Sequence, residues 1–417
     1  MKTRDAKWGA LVVAIGLFGL FQVPCMAADK PIKLGMHTIL SGPFSDFGQL
    51  GVNGYKMAVE ELNAKGGIMG RPVELIMEDS ETNPQLAVRK VNKLVLQDNV
   101  DFIFTSSSSN VGLAVSKIMP QLQKIHLVNG ANSEEITGKD CNKYTFRFGP
   151  STPMEARTTA MFASQQPYKR YYLLGADYNW GHSEVKNFRA YMSKLKPEVE
   201  FVGEDFTPLG TKDFAAYINK IDAAKPDAVF LGIWGADFIT FLKQAKQLGL
   251  KDKAKLFAPL IDVPVLKAAG DAAVGLASHS RYFFTLDTPQ NREFVEKIAK
   301  RYQTVPDYEE EQAYTSVMIL AKAIEKAGTV EDTNKLISTL ETIEWNWLWG
   351  TLKMRKEDHQ AIRDTIFGEV VAAPASQQDL PFPVSATVDF PYIRKPIIVP
   401  ADKVAVPIEE TGCKMEY

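Results

Sequence analysis

The chain has 417 residues, 45% hydrophobic and 24% charged, an ordinary composition for a globular protein. Its 48 basic and 50 acidic residues leave a formal net charge of −2, which gives no electrostatic reason to bind nucleic acid or anionic lipid. Beyond the N-terminus no apolar run is long enough to span a bilayer, so a polytopic membrane protein is excluded.

Lys2, Arg4 and Lys7 precede an apolar run over 8–23, and Pro24-Cys25-Met26-Ala27-Ala28 supplies small residues before Asp29-Lys30. That order predicts a secretory signal peptide over 1–28. A membrane anchor is the alternative, but about 16 apolar residues is short for a span. Lipid attachment at Cys25 fits badly with Gln22-Val23-Pro24 before it. Export leaves Cys141 and Cys413. In an oxidising compartment they are expected to pair, tying the C-terminus to a loop near 140; two free buried thiols are the alternative.

From 32 onward, strand and helix patterns alternate. Strands are predicted at 32–39, 73–78, 100–105 and 126–129, and helices at 51–65, 84–98 and 109–122. Gly66-Gly67 stops the first helix. The rhythm resets at 145–153, and a helix at 153–165 opens a second series. Its strands fall at 171–176, 199–206, 228–233 and 255–258, and its helices at 181–195, 214–224 and 236–248. Helices at 291–302, 309–327 and 330–340 follow, then strands at 350–354 and 361–371. Residues 374–400 are Pro-rich without a period and read as an extended surface arm over 374–417. Short apolar strands between amphipathic helices predict an α/β protein with parallel sheets covered on both faces.

Known catalytic signatures are missing. There is no phosphate-binding G-x-x-x-x-G-K-[ST], no G-x-G-x-x-G after the first strand and no G-x-S-x-G. His37, His126, His182, His279 and His359 lack the spacing of a metal cage, and no cofactor is implied.

Parallel α/β proteins bind ligands beyond the carboxyl ends of their strands. After the first strand comes Ser41-Gly42-Pro43-Phe44-Ser45-Asp46-Phe47-Gly48. After the third comes Ser106-Ser107-Ser108-Ser109-Asn110, entering a helix, and after the fourth Asn129-Gly130-Ala131-Asn132-Ser133. Free N–H groups at a helix start, joined by small hydroxyls, suit a carboxylate. In the second half Tyr178 and Trp180 follow one strand and Trp234 another. Rings facing an anion site suit a hinged clamp.

Ser41-Gly42-Pro43 through Phe47-Gly48, Asn63-Ala64-Lys65-Gly66-Gly67-Ile68-Met69-Gly70-Arg71, Asp177-Tyr178-Asn179-Trp180-Gly181 and Glu357-Asp358-His359-Gln360 together carry a resemblance. With these the chain resembles the type I periplasmic substrate-binding proteins of ABC importers, in the branched-chain amino-acid group that includes the Leu/Ile/Val-binding protein. The resemblance implies a two-lobed fold, each lobe a parallel sheet flanked by helices, with three hinge crossings. Lobe 1 would hold 29–150 and 279–350, and lobe 2 would hold 151–278 and 351–373. It implies a monomer in the periplasm that serves membrane permease and ATPase subunits and catalyses nothing. Carried over position by position, it places Ser108 and Ser109 on a ligand carboxylate, with Gly130, Ala131 and Asn132 adding contacts. It places rings at Phe47, Trp180 and Trp234.

Two departures bear on the ligand. Asn132 stands where amino-acid binders usually carry Ser or Thr. Leu260 stands where they carry the acid that holds the ammonium, and Asp262 is the nearest substitute. Without such an acid a buried ammonium is costly, and the rings then suit an aromatic or other organic acid. Two other readings remain at this point. One is a ligand sensor of the same fold. The other is an amide-hydrolysing enzyme, for which no nucleophile–base pair is visible.

Overall fold

The computed structural model describes residues 30–416. The predicted signal peptide over 1–28 lies outside the described residues. Among them, no helix is long and apolar enough to cross a membrane.

The first lobe runs β1 (Ile32–Thr38), α1 (Ser45–Ala64), β2 (Val73–Asp79), α2 (Pro84–Leu96), β3 (Phe102–Ser106), α3 (Ser109–Leu122), β4 (His126–Asn129) and β5 (Thr145–Arg147). These strands form one parallel sheet in the order β2-β1-β3-β4-β5. All five residues of β3 are buried, as expected of a central strand covered on both faces. The second lobe follows: α4 (Thr152–Ser164), β6 (Arg170–Ala176), α5 (Asn179–Leu195), β7 (Glu200–Thr207), α6 (Ala215–Ala224), β8 (Ala228–Gly232), α7 (Gly235–Gln247), β9 (Lys255–Ala258), α8 (Val263–Ala269) and β10 (Ala277–Ser280). The chain then returns to the first lobe with α9 (Pro289–Tyr302), α10 (Tyr308–Ala327) and α11 (Thr333–Leu340). A small antiparallel sheet follows, of β11 (Glu344–Trp347), β12 (Gly350–Met354) and β13 (Ala361–Ile362). Last come β14 (Thr365–Val371), β15 (Tyr392–Ile393), β16 (Ile397–Val399), α12 (Ala401–Val404) and α13 (Ile408–Thr411).

The second sheet has the order β7-β6-β8-β9-β10-β14. It is mixed, because β14 runs antiparallel to β10, and β15 and β16 pair antiparallel with β14. Four places differ from expectation. β10 belongs to the second sheet through Ser280, so the crossing begins after residue 280 and not at 279. Residues 351–362, assigned from sequence to the second lobe, pack on the first: the His359 ring stacks on Phe146 at 3.9 Å, and Arg147 bridges to Gln360. The C-terminal segment is not an arm lying on the surface. Leu380, Phe382, Val388, Phe390 and Tyr392 are buried in the core, and two of its short strands extend the second sheet. Pro residues interrupt any regular period there and so hide these strands from a pattern reading. The predicted strand at 361–371 also breaks in two at Arg363-Asp364.

The Cys141–Cys413 disulfide is formed, with Cα atoms 5.6 Å apart. Four of the five histidines are buried. His37 and His126 share the Thr105 hydroxyl, at 2.5 and 2.6 Å. Burial holds His37 down at about 3 and His126 well below its ordinary value, so both are neutral core residues.

Candidate ligand-binding cleft

Both sheets reverse their strand order beside the first strand of the lobe, between β1 and β3 and between β6 and β8. Crevices open at such points. Here the two crevices face one another. The residues around the shared cavity are Ser108, Ser109, Gly130, Tyr178, Trp180, Trp234, Leu260, Arg281 and Tyr308. The cavity measures about 20 Å³, room for a water-sized molecule. Its mouth is closed by rings from opposite lobes: Phe44 stacks on Trp234 at 4.9 Å and Phe47 meets the same indole edge-on at 5.3 Å. Anything larger enters only if those rings part. Larger cavities lie elsewhere, away from the strand ends and the facing rings.

The serine run divides its work. The Ser106 hydroxyl donates to Glu309 Oε2 at 2.7 Å, and Ser107 lies 3.2 Å from Ser80 Oγ. Ser109 Oγ accepts from the backbone N–H of Asn132 and Ser133, at 3.2 and 3.1 Å. Ser109 therefore holds the loop after β4 and is committed to structure. Ser108, the N-cap of α3, makes no side-chain cap bond. Both serines line the cavity, and the Ser108 hydroxyl is not engaged in capping.

Gly130 sits in the left-handed region at φ +72, and a Cβ there would come within 2.7 Å of Glu309 Oε1. Glycine is thus required on conformation and space alike. Ala131 and Asn132 do not line the cavity. Ala131 is fully buried, packed with Leu113, Val128 and Ile136. The Asn132 amide donates to the Pro150 carbonyl and to Glu155 Oε1, bracing the first crossing.

On the second lobe, Trp180 is buried and its indole N–H donates to Glu155 Oε2 at 3.2 Å. A side chain on Gly181 would collide with the Ala176 carbonyl at 2.2 Å, so the glycine lets α5 start hard against the end of β6. Glu155 also receives Arg281, whose Nε lies 2.5 Å from Oε1 and Nη2 3.3 Å from Oε2. Both partners are almost wholly excluded from solvent. Burial opposes the guanidinium charge, but Glu155 outweighs it and holds Arg281 protonated above its ordinary value. The Arg281 head stacks over the Tyr308 ring at 4.7 Å, and its Nη1 reaches only a long 3.4 Å contact with the Gly130 carbonyl. That nitrogen has donors to spare at the cavity. One turn beyond Trp180, burial pushes the Glu184 carboxyl well up, with Glu155 adding to the effect. Both effects favour the protonated form of Glu184.

Asp262 does not line the cavity. It caps α8, accepting from Val265 N at 2.8 Å, while Asp307 accepts from Val263 N at 2.8 Å beside it. Burial pushes Asp262 up to about 7 and Asp307 well above its ordinary value. The residue at the wall is Leu260. Sequence reasoning missed Arg281, Glu155, Tyr308 and Phe44. Phe44 stood inside a quoted loop. Tyr308 begins a recognised helix. Arg281 follows a strand that carries no apolar pattern.

A family model described as "Periplasmic binding protein" matches residues 31–376. The "Leu/Ile/Val-binding protein homolog 4" of Brucella melitensis is 27% identical over 365 residues, covering 82% of this chain and 85% of its own. An ABC transporter substrate-binding protein from Sphaerobacter thermophilus is 29% identical, with a TM-score of 0.77 over 88% of this chain and 98% of that one. A solute-binding protein of an ABC transporter from Rhodopseudomonas palustris, in complex with 3,4-dihydroxybenzoic acid, is 23% identical. Its TM-score is 0.76 over 82% and 93% of the two chains, a likeness of fold.

Proposed function

This chain belongs to the periplasmic binding protein family, and on that premise we propose that it is the solute-binding component of an ABC importer, closing its lobes on a small organic acid that lacks an amine. The observation that carries the ligand class is the pairing of Arg281 with Ser108 at one cavity ringed by Tyr178, Trp180, Trp234 and Tyr308. A guanidinium with unspent donors, a free hydroxyl and the α3 N-terminus suit a carboxylate. The rings suit a flat or bulky apolar body.

The placement of the nearby acids supports a ligand without an amine. Glu155 is held by Arg281, Glu309 by Ser106, and Asp262 by the α8 N-terminus. No acid is among the residues around the cavity, so a buried ammonium would face Leu260 there, at a cost of several kcal/mol. The relative named for leucine, isoleucine and valine and the fold neighbour holding a dihydroxybenzoate bracket this choice. The protein then works as a monomer in the periplasm and delivers its ligand to the permease. It performs no chemistry on it.

The test is a thermal melt against two panels, the twenty amino acids and a set of benzoates and aliphatic carboxylates. Stabilisation confined to the acids supports the reading. Stabilisation by an amino acid alone contradicts it.

A further inference from the structure

Three backbone segments cross between the lobes, and the C-terminal residues add a fourth link closed by the disulfide. One end is fixed to the second lobe. Val404 and Val406 are buried in its core with Met154 and Phe230, and Arg157 Nη1 donates to the Ala405 carbonyl at 3.1 Å. The other end is fixed to the first lobe. Cys413 is bonded to Cys141, which lies between the turn at Glu134–Thr137 and β5. The residues between the two anchors contribute no core: α13 has no buried residue. They overhang a cavity of about 240 Å³ bordered by Arg147, Met154, Asp358 and Glu410.

The strap spans a seam that must move. Beside it the lobes touch through Glu134 with Lys186 and Asn187, at 2.8 Å each, and through Glu135 with Asn179 at 3.1 Å. Opening the cleft separates these pairs. Pro407 and Gly412 bound the single turn of α13, which stores length. Its residues rise about 1.5 Å each when helical and about 3.3 Å each when extended, so unwinding releases roughly 7 Å. After that the strap has only its covalent bonds to stretch.

On the hinge-bending reading above, we propose that the C-terminal strap limits how far the lobes open, with α13 unwinding as the cleft parts and the Cys141–Cys413 bond stopping the rotation. The limit is set by strap length and by the bond, and neither touches the ligand cavity. A ligand-free protein held near its closed shape gives up less freedom when it closes, so the intact strap also strengthens binding.

The test needs no ligand. Cysteines introduced at Asp46 and Lys212, exposed positions on the first and second lobes, carry spin labels whose separation is read by double electron–electron resonance. Three proteins are compared: the intact chain, C141S/C413S, and a chain with six Gly/Ser residues inserted between Val406 and Pro407 and the disulfide kept. Both altered proteins are expected to show a longer and broader separation than the intact one, by at least about 5 Å. Equal distributions in all three overturn the proposal. So does a longer separation in C141S/C413S with none in the insertion chain, because the bond would then act on folding and not through strap length. If C141S/C413S does not fold, the insertion chain decides alone. A failed ligand screen would overturn the organic-acid reading and leave these distances unaffected.

Discussion

The two walls of the cleft repeat one topology and use different chemistry. In the first lobe the residues after β3 and β4 are small, Ser108 and Gly130, and its rings, Phe44 and Phe47, follow β1. In the second lobe the ends that match β3 and β4 carry Trp234 after β8 and Leu260 after β9, and Tyr178 and Trp180 follow β6. The charge comes from residues next to the crossings, Glu155 at the start of α4 and Arg281 just after β10. On the proposed reading one scaffold separates three roles: a hydroxyl to receive an anion, rings to cover an apolar body, and a buried ion pair beside the crossings. Substitutions that break them one at a time should give different signatures.

The largest effect is expected at the ion pair. Arg281→Met strands a buried Glu155 carboxylate and removes the cation from the cavity. Urea denaturation should show a loss of about 3–5 kcal/mol, and ligand binding should vanish. Next are the rings. Trp234→Ala removes the inter-lobe contacts with Phe44 and Phe47, each worth about 0.5–1.5 kcal/mol. Calorimetric titration should show binding weakened by tenfold or more. Trp180→Ala should instead lower the melting temperature of the ligand-free protein, because that indole is buried and serves Glu155.

Asp262 gives a pH signature that separates it from the cleft. Its carboxyl keeps a proton in the folded state up to about 7, whereas an unfolded aspartate ionises near 4. Between those values the folded protein holds the extra proton, so this group makes stability fall as pH rises from about 4 to about 7, with no further change above. In Asp262→Asn, melts at about pH 5 and pH 7 should differ less than in the unaltered protein. A steeper difference would contradict the assignment.

The smallest effect sharpens the contrast within the serine run. Ser108→Ala should weaken binding by about 1 kcal/mol, roughly fivefold, and leave stability alone. Ser109→Ala should do the reverse, since two backbone N–H groups lose their acceptor.

What the sequence revealed follows the same division. The parallel strands and their helices were legible because periodicity is local, and β4, α3 and β9 fall on the predicted residues. The strand-end loops were legible because they are continuous in sequence. β10 was not, because Ala-Ser-His-Ser has no apolar pattern although all four residues are buried. Arg281 was not, because its partner Glu155 lies 126 residues away and nothing local announces the pair. Asp262 was misread because an acid two residues from the expected position looks equivalent until its cap bond is seen. The disulfide was legible from two cysteines and an expected export signal.

The most direct test of the carboxylate clamp is a melt of the unaltered protein with matched ligand pairs, each benzoate or aliphatic acid against its own primary amide. At about 100 times Kd the stabilisation should be roughly 2.7 kcal/mol, a rise on the order of 5–10 °C for a lobe-sized unit. The account predicts that rise for at least one acid and for none of the amides. An amide that stabilises as well as its acid would contradict it, because the Ser108–Arg281 end of the cavity would then be reading shape and not charge.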